Sequence, residues 1–126
     1  MMRKYIGIKS SRVMDVGFWE SIKIYDVIGN IEVVQNTKIR LKKGVYVVLF
    51  CIQVVAKIEQ VVSVGLFGND DFAPKMMVMG GAEPDQVVNL AGNSIIAVEG
   101  DTELILRNMS KGIIDCYEMS LSICSI

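Results

Sequence analysis

This sequence of 126 residues contains no histidine. The residues that could still do chemistry are carboxylates in turns and three isolated cysteines. Without histidine, neither a Ser-His-Asp triad nor a histidine-activated cysteine can form. Six carboxylates that could form catalytic pairs lie in turn contexts, where Asp is favoured for its bonds to the backbone: Asp70, Asp71, Glu83, Asp85, Asp101 and Glu103. No phosphate-binding glycine loop is present. The sequence therefore predicts no enzymatic activity, no catalytic residue and no cofactor.

The densest acidic stretch, GNDDF at 68–72, is the best candidate for a metal site. Asn69, Asp70 and Asp71 offer hard oxygen ligands of the kind that bind calcium. An all-protein calcium site needs about six or more oxygens, and the stretch lacks the spacing of a calcium loop. A plain hairpin turn is therefore the favoured interpretation, with calcium as the alternative.

Aromatic and methionine side chains suggest two further binding features. Trp19 and Phe72 could form a stacking platform for a sugar, whereas the simpler interpretation makes Trp19 an anchor that clips the N-terminal residues to the domain. KMMVM at 75–79 could be a sticky surface or a soft-metal site. Core filling is favoured, since methionine is a flexible gap-filler.

The cysteines and the N-terminus bear on where the chain folds. Cys51, Cys116 and Cys124 are odd in number and contain no Cys-x-x-Cys pair, so we expect buried free thiols and a reducing compartment. The segment MMRKYIGIKSSR lacks the apolar block of a signal peptide. We therefore expect the protein to be made in the cytosol without a signal peptide.

Charge and hydropathy exclude two classes of partner. Thirteen basic and fourteen acidic residues give no basic excess of the kind that nucleic-acid binding requires. The hydrophobic fraction is 52%, slightly above the ~45–50% of ordinary soluble domains. The longest uncharged run in the apolar stretch 44–68 is thirteen residues, 44–56, too short for a helical span of ~20 residues. The excess therefore predicts a subunit interface rather than membrane insertion.

Short apolar segments broken by Gly, Asn and Asp predict a single all-β domain over residues 1–126, with residues 1–17 as a candidate N-terminal arm. The pattern is typical of a sandwich or barrel. Candidate strands include 45–55, 86–90, 94–98 and 115–125. Candidate turns include Gly80-Gly81 and Gly92-Asn93.

The stretch GVYVVLFCIQVVA at 44–56 is apolar on both faces when it is read as a strand. Alternation places Tyr46, Val48 and Phe50 on one face and Val47, Leu49 and Cys51 on the other. Because the second sheet of a sandwich covers only one face, the other face must meet another subunit. Along the last strand, Tyr117, Met119, Leu121 and Ile123 form a core face, opposite Glu118, Ser120, Ser122 and Cys124.

Four segments together resemble a known superfamily. GVYVVLF at 44–50 is similar to the Gly-x-Tyr-x-apolar-x-aromatic strand of tumour necrosis factor-like and complement globular-head jelly rolls. FWESIKIY at 18–25, VVSVGLFGND at 61–70 and LAGNSIIAVEGDTELILRN at 90–108 resemble further landmarks of the short bacterial or phage members, in the same order. The resemblance covers roughly residues 18 to 126.

The resemblance implies an antiparallel two-sheet jelly roll of about ten strands that assembles as a homotrimer. By position, Tyr46, Val48, Phe50, Leu121 and Ile123 would be core residues. The trimer interface would contain Val47, Leu49, Cys51, Ser120, Ser122, Cys124 and Ile126. The expected function is a non-catalytic module displayed on a virion, spore or similar surface that contacts a protein or a host surface. The alternative is a carbohydrate-binding module, with or without calcium.

Overall fold

The computed structural model describes residues 5–10, 13–29, 32–69 and 71–126, and in these ranges the chain is all-β. None of its described segments forms a helix long and apolar enough to cross a membrane. The strands, in chain order, are β1 (Tyr5–Ser10), β2 (Val13–Val16), β3 (Asp26–Gly29), β4 (Val33–Val34), β5 (Lys38–Leu41), β6 (Gly44–Ala56), β7 (Gln60–Gly68), β8 (Met76–Ala82), β9 (Val87–Val98), β10 (Thr102–Asn108) and β11 (Ile114–Ser125).

The strands form two antiparallel sheets. The first sheet has six strands in the order β3-β1-β11-β6-β9, with β2 also paired to β11, and the second has five in the order β4-β5-β10-β7-β8. Between β6 and β11 the chain crosses repeatedly from one sheet to the other, so most pairings join strands that are not consecutive. The pairs β4–β5 and β7–β8 are the exceptions. The prediction of a two-sheet antiparallel jelly roll is confirmed.

The core lies between the sheets and is built from alternate residues of each strand. In β6, Tyr46, Val48 and Phe50 are at most 5% exposed, and their cross-strand neighbours Leu121 and Ile123 in β11 are fully buried. The hydroxyl of Tyr46 donates a hydrogen bond of 2.7 Å to the carbonyl oxygen of Lys42. Burial raises the pKa of this phenol, although the hydrogen bond opposes the shift.

Two predicted turns are wrong, because their glycines permit close packing rather than chain reversal. The structure contains a single strand, β9, where a turn at Gly92-Asn93 was expected, and Gly80-Gly81 lies within β8. A Cβ on Gly92 would lie 2.9 Å from the side chain of Val78, and a Cβ on Gly80 would lie 2.9 Å from Leu90. The two sheets therefore approach each other closely where β8 and β9 face across the core.

A β-bulge in β11 explains a third difference between the predicted and the observed structure, the position of Tyr117. The pairing of β11 with β6 shifts between Cys116 and Glu118, which leaves Tyr117 as the extra residue. Tyr117 is therefore half-buried instead of belonging to the core face with Met119. A period-two pattern cannot reveal such an insertion, since the bulge itself breaks the period.

Two side-chain predictions are also wrong in part. Among the cysteines, Cys116 is buried, Cys124 is half-buried and Cys51 is exposed, and all three are free thiols. In the methionine segment only Met76 is in the core, because Met77 and Met79 point outward from β8 and are 42% and 56% exposed.

Part of the outer face of the second sheet, around Gly65 and Phe67, is covered by the chain itself. Phe67 points away from the core yet is 1% exposed, because the ring of Trp19 packs edge-on against it with centroids 4.9 Å apart. Met109 and Pro74 lie over Gly65, where a Cβ would contact Met109 at 2.7 Å. Two hydrogen bonds hold the main chain of the covering segment. The N–H of Trp19 donates to the carbonyl oxygen of Asn108, and the guanidinium of Arg107 donates to the carbonyl oxygen of Trp19.

Candidate subunit interface

The outer face of β6 remains apolar and open along most of its length. Val45 is 43% and Leu49 is 54% exposed, Cys51 is exposed, and Val47 is half-buried. These four residues alternate with the buried core residues, as a strand of period two requires. A strand that carries branched apolar residues on both faces is typical of one covered on both sides.

The neighbouring strands extend the same surface. In β9, Ile95 lies opposite Val47 and is 68% exposed, whereas in β11 Cys124 lies opposite Val47 on the other side. The next row places Leu49 between Asn93 and Ser122. Ile126 follows β11, donates its N–H to the carbonyl oxygen of Val45 over 2.9 Å, and is 60% exposed.

Twelve outward positions on these three strands contain no charged side chain, and we call them the uncharged face. They are Val45, Val47, Leu49, Cys51, Ala91, Asn93, Ile95, Ala97, Ser120, Ser122, Cys124 and Ile126. Charge begins at the row where Glu118 lies opposite Gln53. The charge-free area is thus contiguous and ends at a defined row.

Beyond that row, a charged cluster marks the end of the sheet. The carboxylate of Asp115, 4% exposed, accepts a hydrogen bond of 2.8 Å from the N–H of Asp15. The ammonium of Lys57 lies 3.3 Å from Asp15 and 3.7 Å from Asp115. Its hydrogen bond to Asp15 and the charge of Asp115 raise the pKa of Lys57. Burial, and then the charge of Asp115, raise the pKa of the Cys116 thiol to about 12.

All seven residues predicted for the interface lie on the uncharged face. Val47, Leu49 and Cys51 come from β6, and Ser120, Ser122, Cys124 and Ile126 come from β11 and the residue after it. The contribution of β9, with Ile95 as its most exposed large residue, was missed because the predicted turn at Gly92-Asn93 divided the strand. The apolar alternation of 87–98 across that glycine was the available signal.

The predicted calcium ligands are engaged in the turn itself. Asn69 Oδ1 accepts a hydrogen bond of 2.8 Å from the N–H of Glu103, and the carboxylate of Asp71 lies 3.5 Å from the ammonium of Lys75. Asp70 lies outside the described residues. Within the described ranges, no group of three or more acidic or cysteine side chains is placed to hold a metal ion.

The structure does not bring the two aromatic residues of the predicted sugar platform together. Trp19 packs against Phe67 in the outer cover of the second sheet, and the guanidinium of Arg107 lies 5.4 Å from the ring centroid of Trp19. Phe72 is 91% exposed in the loop between β7 and β8, whereas the ring contacts of Trp19 in the structure are with Phe18 and Phe67.

Comparison with known proteins establishes the class of architecture. No family model matches the sequence, and no curated protein matches it. Solved structures do match, and the shared architecture is the antiparallel jelly roll. The matches include TNF, complement and APRIL proteins, so the fold is similar to TNF-like jelly rolls.

Three of these structures illustrate the likeness. The Eiger TNF from S. frugiperda has a TM-score of 0.70 at 9% identity, over 99% of this chain and 92% of that one. The globular domain of the zebrafish complement 1qA protein has 0.69 at 7% identity, over 99% and 97%. Murine APRIL has 0.67 at 10% identity, over 99% and 100%. At such identities the likeness shows a common fold.

Proposed function

We propose that this chain is a non-catalytic interaction module that assembles as a homotrimer through the uncharged face. The observation that carries the proposal is the exposure of Leu49, Ile95 and Val45 in one contiguous area without a charged side chain. Exposed apolar patches of this kind typically mark interaction sites. A second copy is the favoured occupant because the apolar rows of one chain offer the matching apolar surface for another.

The trimer, rather than another stoichiometry, is supported by the resemblance of the sequence to tumour necrosis factor-like and complement globular-head jelly rolls and by the common fold. Sedimentation equilibrium at micromolar concentration tests it directly. We expect a species of three times 13.9 kDa. A stable monomer at that concentration would refute both the trimer and the assigned role of the uncharged face.

We further propose display on a virion, spore or similar assembly surface, where the end loops contact a protein or a host surface. Three free thiols suit a protein that folds in a reducing compartment. Cosedimentation of the chain with intact particles, after washing in high salt, tests this part of the proposal. If the washed particles contained none of the chain, the proposed surface display would be wrong.

A calcium-assisted carbohydrate-binding module is the second candidate, with weaker support. Asn69 and Asp71 already have partners, and Trp19 is used in packing. Glycan binding that requires calcium and is lost in Asp71→Asn would favour this candidate over the first.

A further inference from the structure

An open groove of about 590 Å³ lies at the end of the molecule where β6 turns into β7 and β8 turns into β9. Val61 of β7 lies opposite Gly81 of β8 and contributes to the lining. The turn after β8 is fixed, because the N–H of Asp85 donates to the carbonyl oxygen of Ala56 over 2.9 Å. Both walls are therefore held by main-chain hydrogen bonds within one chain.

The groove and its surroundings offer apolar anchors. Val61 is 59% exposed, and Met79, on the same outer face of the second sheet, is 56% exposed. Ile58, in the turn beside the groove, is 56% exposed. Large apolar side chains that remain this exposed beside a groove can bind an apolar side chain of a partner.

The charge of the groove is of one sign. Its lining contains the carboxylates of Glu59 and Glu83 and no positively charged side chain. Among the described residues, neither carboxylate has an ion-pair partner within 4.0 Å. Charge complementarity therefore favours a cationic ligand here.

Gln60 lines one wall, and its amide is anchored within the chain. The Oε1 atom of Gln60 accepts a hydrogen bond of 2.8 Å from the N–H of Gly112. The Nε2 atom of the same amide is buried and has no hydrogen-bond partner in the described part of the chain. This atom lies beside Gly112 and is closed to solvent, so the binding proposed below depends on the apolar and charged side chains and not on this donor.

We propose that this groove binds an extended segment of a partner protein in which an apolar side chain is flanked by lysine or arginine. The apolar side chain packs on Val61, and the cationic groups pair with Glu59 and Glu83. The proposal rests on the proposed role as an interaction module and names the chemistry of its partner. It does not depend on the trimer, because every lining residue belongs to one chain and lies away from the uncharged face.

The test is a selection from a displayed library of short random peptides against the immobilised full chain. We expect enrichment of sequences that combine leucine, isoleucine or valine with lysine or arginine. The affinity of a selected peptide, measured by fluorescence polarisation, should fall about tenfold in the double variant Glu59→Lys and Glu83→Lys, because two exposed ion pairs become repulsive contacts. Val61→Ser should weaken the same peptide, since the apolar contact area is reduced.

The matched control reverses two exposed carboxylates at the far end of β9, Glu99→Lys and Asp101→Lys, which should leave the affinity unchanged. Three results would overturn the proposal. They are selected peptides without basic residues, a failure to select any peptide, and a double variant of Glu59 and Glu83 that binds the peptide as tightly as the unchanged chain does. Sedimentation of the same samples keeps the two proposals apart. A monomer that still binds the peptide would refute the trimer alone, whereas a trimer that binds no peptide would refute the groove alone.

Discussion

The outer faces of the two sheets both carry large apolar side chains, but they differ in how far the chain itself covers these side chains. Phe67 in the second sheet and Leu49 in the first both point away from the core, yet Phe67 is 1% exposed and Leu49 is 54% exposed. The difference arises because Trp19 and the residues around it cover Phe67, while no described segment covers Leu49. Phe67 is covered within the chain, and Leu49 is a position that the proposed second chain would cover.

The two outer faces also differ in the charged side chains that they carry. On the second sheet, Arg40 forms ion pairs with Glu32 at 3.0 Å and with Glu103 at 3.2 Å, and all three side chains are partly exposed to solvent. Such pairs add little stability, but they place charge on the outer surface of β5 and β10. The twelve positions of the uncharged face contain no such pair. The part of the second sheet that carries these ion pairs and the uncharged face of the first sheet therefore lie on opposite sides of one core.

The largest effect is expected from a core position on the strand that separates these surfaces. Phe50 is 5% exposed, so Phe50→Asp removes an aromatic whose truncation typically costs about 3–5 kcal/mol and buries an unpaired charge. We expect the variant to lose its β signal in circular dichroism. A folded Phe50→Asp protein would show that the register of β6 is shifted by one residue.

The adjacent position provides the matched comparison. Leu49→Asp should abolish assembly, because carboxylates from several copies would be brought together and desolvated at the interface. The β signal should largely remain in the soluble fraction, and sedimentation should show monomers or irregular aggregates. A stable trimer of this variant would place the interface elsewhere. Ile95→Asp, on the strand missed by the sequence analysis, should behave like Leu49→Asp if β9 belongs to the interface.

The adjacent residues Val48 and Leu49 show which features the sequence could predict. The assignment of Val48 to the core and Leu49 to the surface follows from period-two alternation, which needs only the strand itself. The roles of Gly80 and Gly92 did not follow, because a glycine in a turn and a glycine under a close side chain look alike in sequence. Whether a glycine of β9 must approach Val78 depends on how the two sheets face each other, a non-local property.

The position of Trp19 was unpredictable for a related reason. Its neighbours Phe67 and Arg107 are distant in sequence, and its backbone has a positive φ of 67°, a conformation uncommon outside glycine. Long-range main-chain bonds to Asn108 hold it there. The sequence indicated an anchoring role, whereas the surface that Trp19 covers became apparent only from the fold.

A moderate effect is expected when the cover of the second sheet is removed. Trp19→Ala should lower the free energy of unfolding by about 1–3 kcal/mol, because Phe67 loses its aromatic partner and becomes exposed. The subunit number should not change, since Trp19 lies on the sheet opposite the uncharged face. Denaturant titration and sedimentation measure both quantities. Phe72→Ala, at an exposed loop position, is the control and should change neither. A loss of assembly in Trp19→Ala with unchanged stability would contradict the division between the two faces.

The smallest perturbation is a chemical label at Cys51, which tests the uncharged face without altering the core. Cys51 is exposed in the single chain, so iodoacetamide should alkylate it rapidly in a Leu49→Asp monomer and slowly in the assembled protein. Variants that retain one cysteine make the measurement specific. Cys116 alone should react slowly in both cases, because it is buried and its pKa is raised to about 12, which keeps the thiol protonated and unreactive at neutral pH. Rapid labelling of Cys51 in a protein that sediments as a trimer would show that this face stays open to water, and the subunits would then have to meet through a different surface.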